Sequence, residues 1–204
     1  MFPTDLTSTL TGASVRQLRH WNSTGLLVPE VQASRRLLYS FRDVVALRIV
    51  VRLRSEAASL QKVRRAFANM PALDFTEHPS KYRFGTNSKT IVIADDDGNT
   101  TDLVQNPGQY QMHSLAEIFK PFRTNRGETV VDFLRPRKRL EIRAGRMGGW
   151  PTIAATRIPY DTIANLLAGG DITPEQVGYY YPEVDAEAAR DALDFHSYVR
   201  SRAA

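Results

Sequence analysis

The stretch "SVRQLRHWNS", residues 14–23, concentrates two arginines, a glutamine and a histidine in one helix-length segment. By three- and four-residue spacing, Val15, Leu18 and Trp21 or Asn22 share one face, and Arg16, Gln17, Arg19 and His20 look the other way. Two chemistries are open to that outer face. It is a solvated basic surface, or it enters a groove of DNA, where arginine pairs with guanine or clamps a phosphate and glutamine reads adenine. Other chemistries are poorly supplied. Cysteine is absent, which excludes disulfides and thiolate metal or redox sites. His20, His78, His113 and His196 are too scattered to suggest a metal site. The acidic run beginning at Asp95 fails as a calcium loop, because positions six and twelve are Thr100 and Asn106 where Gly and Glu are needed. A hairpin turn at Asp97-Gly98 accounts for it better. No Ser/His/Asp order, phosphate loop or supported carboxylate pair is present, so neither catalysis nor a cofactor is expected.

Punctuation around the basic segment defines its setting. Gly12 suits the end of a short preceding helix, Ser14 is a good N-cap, and Gly25 stops the new helix, an outline of helix–turn–helix. In "LLVPEVQASRRLLYS", residues 26–40, apolar Leu26 to Val28 and Leu37 to Tyr39 flank a polar centre with Arg35 and Arg36, which reads as a hairpin with a basic tip. Ser40 and Asp43 have capping-box spacing and open a helix to about Arg54, with Val44, Leu47, Val51 and Leu53 inward. Ser59 caps another helix with Leu60, Val63 and Phe67 on one face, ended at Met70-Pro71.

In order and spacing, "TGASVRQLRHWNSTGLL", "RRLLYS" and "FRDVVALRIV" resemble the MerR-type winged helix–turn–helix family over roughly residues 4–69. That resemblance implies a DNA-reading helix bearing Ser14, Arg16, Gln17, Arg19 and His20, and a wing whose Arg35, Arg36 and Tyr39 touch the sugar–phosphate backbone. The chain departs from the family in having no sustained heptad pattern after Met70 and no cysteine sensor. A homodimer is expected, with its interface beyond residue 70.

Charge divides the chain. Residues 12–69 hold eleven basic residues against three acids, whereas residues 159–198 hold eight acids against one base, Arg190. Two modules facing two kinds of partner are implied. Between them, residues 81–85 and 90–104 read as strands, "HSLAEIFKPF" as a short helix stopped at Pro121, and "RPRKRLEIR" (135–143) as a basic patch at a module junction leading into a strand.

Beyond it, Pro159 begins a helix carrying Ile163, Leu166 and Leu167, Thr173 with Gln176 opens a short second one, and Asp185 caps a third with Ala189, Leu193 and His196 or Val199 inward. The segments "GGWPTIAATRIP", "LLAGGDITPEQVGYYYP" and "EAARDALDFHSYV" resemble a small family of unknown-function domains marked by GG-x-P-x-I-x-GTRIP, except that Ala154-Ala155 stand where arginine–glycine is usual. Such domains are common in short antitoxin-like proteins encoded beside PIN-like ribonucleases, and with the MerR-type head the chain resembles VapB-type antitoxins. The resemblance, with the acidic charge and aromatic cluster, implies a protein-binding face containing Arg157, Tyr179, Tyr180, Tyr181 and Arg190.

The expectation is therefore an α+β, mostly helical chain of 204 residues in three parts: a DNA-binding domain over 1–70, a β-hairpin-containing middle segment over 71–138 and an acidic three-helix domain over 139–204. Its expected partners are double-stranded DNA, a ribonuclease toxin and a second copy of itself. The alternative is a stand-alone transcriptional or DNA-architectural regulator that dimerises through its C-terminal module. No apolar run of membrane-spanning length and no signal-like start is present, so a cytoplasmic protein without a membrane partner is expected.

Overall fold

The computed structural model describes residues 1–33, 36–56, 58–73, 77–86, 90–94, 100–104 and 111–203. Its elements are α and β in mixture. Strand β1 (Phe2–Pro3) leads into α1 (Thr4–Thr11), which ends on Gly12 at φ 79°, where the Gly12 N–H reaches the Ser8 carbonyl. After a short turn comes α2 (Val15–Ser23), then the hairpin β2 (Val31–Ala33) and β3 (Arg36–Tyr39), then α3 (Phe41–Ser55) and α4 (Leu60–Asn69). Strand β3 lies between β1 and β2, both antiparallel to it.

The hairpin differs from the sequence expectation at its first strand. Residues 31–33 pair with 36–38, not Leu26 to Val28. Leu26 and Leu27 are buried instead, with their N–H groups turned back to the Trp21 carbonyl. Two adjacent leucines satisfy a core as readily as a strand, and burial beside Trp21 decides between them.

Helix α3 is surrounded. Val44, Val45, Ala46, Leu47, Ile49, Val50, Val51 and Leu53 are all buried, so the helix meets water only near its ends, at exposed Arg42 and half-buried Arg52, Arg54 and Ser55, and the usual helical polarity pattern is absent. One side rests on α1, and another receives the middle of the chain. That middle contains an antiparallel four-stranded sheet in the order β6-β5-β4-β7: β4 (Arg83–Thr86), β5 (Ile91–Ala94), β6 (Thr100–Asp102) and β7 (Gln111–His113). The two strands foreseen on either side of Asp97-Gly98 pair as β5 and β6, while the turn itself and the residues of the rejected calcium loop at 95–99 and Asn106 lie outside the described residues. Ser114 and Glu117 form a capping box for α5 (Leu115–Phe119), and a small hairpin follows, β8 (Phe122–Arg123) with β9 (Thr129–Val130).

The C-terminal part begins with β10 (Leu140–Glu141) against β11 (Thr152–Ile153) and continues through α6 (Tyr160–Ala168), α7 (Val177–Tyr180) and α8 (Ala186–Ala203). Ala188, Ala189, Ala192, Phe195 and Val199 are buried on α8, whereas Leu193 and His196 are half-buried. The inward face is thus turned slightly from the expected one, because Phe195 fills the space beside Tyr160 with ring centroids 5.0 Å apart. Helix α8 packs on both α6 and α1, and buried apolar residues from all three stretches of the chain belong to one cluster.

Two close approaches fasten the parts together. A Cβ at Gly12 would come within 2.4 Å of Val130, and one at Gly149, φ 83°, within 2.4 Å of the Phe41 ring. Trp150 continues that second seam: its ring lies 6.1 Å from Phe2, and its indole N–H donates to Asp161 at 3.0 Å.

Arg48 on α3 is the side chain that sequence patterning treats least well. Its type and neighbours group it with the basic surface, yet it is fully buried. Its Nε donates to the Ile118 carbonyl at 2.5 Å, Nη1 to that of Leu10, and Nη2 to those of Phe119 (3.0 Å), Lys120 (2.8 Å) and Val131 (2.8 Å). Burial pushes the guanidinium down to about 9, partly opposed by Asp132, so it remains a cation at neutral pH. The reason for its burial is visible in its partners: the α5 C-terminus and the end of α1 present carbonyls that no helix can satisfy.

Ala155 supplies a stability prediction. It sits at φ 60°, where a Cβ is strained, at the position where the resembled family carries glycine. The conformation is held by its N–H donating to Glu141 Oε1 at 2.9 Å. Ala155→Gly is expected to stabilise the protein by about 0.5–1 kcal/mol, the relief of strain exceeding the entropy of an added glycine. Urea denaturation would show it as a raised midpoint at unchanged slope; a lowered midpoint would mean that the loop carries no strain.

Candidate nucleic-acid interface

Helix α2 begins with a reciprocal cap. The Ser14 hydroxyl accepts from the Gln17 N–H at 3.2 Å, and Gln17 Oε1 accepts from the Ser14 N–H at 2.8 Å. Leu18 and Trp21 are buried against the rest of the head, so the helix is pinned in rotation as well as at its start. Arg16, Arg19 and His20 consequently face solvent. Gln17 is half-buried with its carbonyl oxygen committed to the cap, which leaves only its amide nitrogen to offer a ligand.

At the other end of α2, Arg64 arrives from α4. Its Nη2 lies 3.1 Å from His20 Nε2 and donates to Thr24 Oγ1 at 2.9 Å. With an arginine as donor, His20 Nε2 is the acceptor. Arg64 stands outside the helix and the wing, and sequence reasoning names it only as part of the overall charge. Only the packing of α4 beside α2 brings it there.

The wing contributes less than the family resemblance implies. Arg36 is exposed on β3, and Arg35 lies outside the described residues. Tyr39 is a correction: it is 1% exposed and belongs to the core. Burial, with Asp43 nearby, pushes its hydroxyl up to about 12, so it is a neutral phenol, and in this arrangement it cannot touch a DNA backbone. Alternation along β3 turns Tyr39 inward over α3.

Below the wing, Asp43 closes a polar knot. Burial alone would raise its pKa, but hydrogen bonds from His78 and from the Ser40 and Glu30 N–H groups lower it overall. Glu30 in turn binds Arg42 and the Ser40 hydroxyl. Glu30, Asp43 and His78 thus come close enough to offer a metal three ligand atoms, a grouping invisible in the sequence. Each is already engaged, since His78 Nδ1 accepts from the Ser80 N–H at 3.3 Å, and the knot reads as structural.

The C-terminal acids are not the free surface their number suggests. Asp185 and Glu187 pair with Arg139 at 3.0 and 2.6 Å, Asp194 with Arg137 at 2.5 Å, and Asp191 accepts the Arg139 N–H at 2.8 Å. Glu175 pairs with Arg190. Two residues of the basic patch at 135–143, Arg137 and Arg139, are therefore turned onto the acids at and beside the start of α8, while Arg135, Lys138 and Arg143 are exposed, and Arg137 also lies over the Phe195 and Tyr198 rings. Such exposed pairs contribute little stability each, but they cancel charge. Among the expected partner-binding residues, Tyr179 and Tyr180 are 87% and 61% exposed, and Arg157 is exposed too. Tyr181 instead packs partly into the core, and Arg190 is exposed but already paired.

This is a capped, rotationally fixed helix with a cationic outer face, mounted in a helix–turn–helix. Comparison with known proteins agrees in class. Residues 5–70 match the family described as MerR HTH family regulatory protein, and residues 140–196 match that described as Protein of unknown function (DUF433). The chain carries a MerR-type helix–turn–helix domain at its N-terminus and a DUF433 domain at its C-terminus. Over 61 residues it is 38% identical to uncharacterized HTH-type transcriptional regulators of Mycobacterium bovis and Mycobacterium tuberculosis, covering 28% of this chain and 27% of each relative. The chain thus spans about a quarter of the length of those curated relatives. Among the described residues, no helix is long and apolar enough to cross a membrane.

Proposed function

We propose that the protein is a cytoplasmic, sequence-specific DNA-binding regulator of transcription. The observation that carries this reading is α2: Leu18 and Trp21 fix it inward while Arg16, Arg19 and His20 face outward from a MerR-type head. Ser14 and Arg36 are offered to phosphates, and Arg16 and Arg19 to base edges or phosphates. A single head reads a short site, so the working unit is a homodimer on a two-part operator, with the interface outside residues 1–70. A gel shift of the full chain on the duplex upstream of its own gene, against a scrambled duplex, tests this. Equal affinity for the two removes sequence-specific regulation.

The finer reading is that the protein is an antitoxin, repressing its own operon and neutralising a PIN-like ribonuclease. The exposure of Tyr179 and Tyr180 supports a protein-binding role for the DUF433 domain, because two adjacent solvent-facing tyrosines are good interface anchors. Arg157, exposed and without an ion-pair partner among the described residues, is offered to an acidic pocket. Co-expression of the full chain with the product of the neighbouring gene, followed by co-purification and a growth assay, is the test. Absence of both binding and rescue leaves the plain regulator, with the DUF433 domain serving the dimer.

A further inference from the structure

The hairpin β8–β9 belongs to neither matched domain, since the two matches end at 70 and begin at 140. It is built onto the reading head. Gly12, the turn residue of the helix–turn–helix, lies against Val130 and Thr124. Asn125 Nδ2 donates to the Arg54 carbonyl at 2.7 Å, joining the hairpin tip to the end of α3. From the other side α8 clamps it: Arg202 binds Glu128 at 2.9 Å and the Tyr198 hydroxyl reaches the Thr129 carbonyl at 3.4 Å. The tip is closed internally, with Thr124 N–H to the Glu128 carbonyl and Gly127 N–H to the Thr124 carbonyl, both at 2.9 Å.

Arg126 lies in this tip, and Arg123 is at the adjoining end of β8. Both are exposed, and no acid pairs with either among the described residues. Arg126 and Arg54 share one cleft with Ser14 and Gln17 of α2, and the acid in that cleft, Glu128, is taken by Arg202. An exposed cation next to a packed hairpin is useful where a polyanion lies.

We propose that the β8–β9 hairpin is a second wing, gripping the DNA backbone beside the N-terminal end of α2 through Arg126 and Arg123. The inference rests on the DNA-binding reading and extends the interface beyond the MerR-type domain. These arginines position the duplex and do not read bases, so they act on operator and scrambled DNA alike. The hairpin's two-sided clamp also ties the angle of this grip to the seat of α8.

The test is fluorescence anisotropy of the full chain on a labelled duplex from upstream of its own gene and on a scrambled duplex, across a salt series. Arg126→Ala should weaken binding to both duplexes by a similar factor, roughly five- to tenfold, and make the log–log salt slope shallower by about 0.9. Arg123→Ala with Arg126→Ala should double the change in slope, and Arg126→Lys should restore most of it. Thermal unfolding of each variant should match the parent, both side chains being exposed. If the double variant keeps the parent's slope and affinity while Arg16→Ala loses affinity, the second wing is wrong and the DNA reading stands. If the parent itself binds neither duplex, both fall together. A loss confined to the operator duplex would also overturn the proposal, since it would make these arginines base readers.

Discussion

Arg48→Leu is expected to lower stability by about 3–5 kcal/mol, because it breaks a buried hydrogen-bond network at its single shared donor. Leucine fills the space and removes the cost of burying a cation. It leaves the carbonyls of Leu10, Ile118, Phe119, Lys120 and Val131 without their common donor, and of these Phe119 keeps a second bond, from the Phe133 N–H. Each buried carbonyl left unsatisfied costs about 1–3 kcal/mol, so even partial rescue by backbone movement or entering water leaves a large deficit. Arg48→Lys keeps the charge but brings three donors to five acceptors, and should recover only part of the loss. Urea unfolding followed by circular dichroism gives the total. Native-state hydrogen exchange locates it, with protection lost first near residues 118–131, where four of the five carbonyls lie. An Arg48→Leu variant as stable as the parent would show that the five contacts contribute nothing net.

The second large effect falls on binding. Arg16→Ala and Arg19→Ala should each cost about 1–3 kcal/mol where the contact is to a base. Together, if independent, they should weaken binding to the operator by roughly thirtyfold or more, which takes a specific complex toward its non-specific level. Folding should not change by more than about 0.5 kcal/mol, because both side chains point into solvent from a helix anchored by Leu18 and Trp21. The discriminating measurement is the ratio of affinities for operator and scrambled duplex, taken at fixed salt. A ratio preserved in the double variant removes α2 as the reading helix, whatever happens to the absolute affinity.

His20 changes what these variants can be expected to reveal. Its bond to Arg64 couples α2 to α4, so a substitution at Arg64 would disturb the reading face from outside α2. The same reasoning separates Arg16 and Arg19 from Gln17, where a substitution would also remove half of the cap on α2.

The residues that could be placed from sequence are those whose structure is decided within a turn or two of chain. Ser14 as an N-cap, Ser40 with Asp43 and Thr173 with Gln176 announce helix starts because capping bonds link residues three apart, whereas the part of Gln17 in the Ser14 cap emerged only in the structure. Gly12 and Gly25, both at positive φ, announce helix ends for the same local reason. The outer face of α2 was legible because Leu18 and Trp21 leave the arginines only one direction. The tertiary structure decided what depends on partners far along the chain. Arg48 meets carbonyls up to 83 residues away, and Arg137 and Arg139 meet acids 46 to 57 residues away. No periodicity records such distances, so a buried arginine and a surface one look alike in the sequence, and a row of acids looks free when its counter-charges lie in another segment. Tyr39 and the strand at 31–33 were set in the same way, by which side of β3 the α3 core covers. The seat of the β8–β9 hairpin against Gly12 likewise came from packing, through a space that only a missing side chain leaves open.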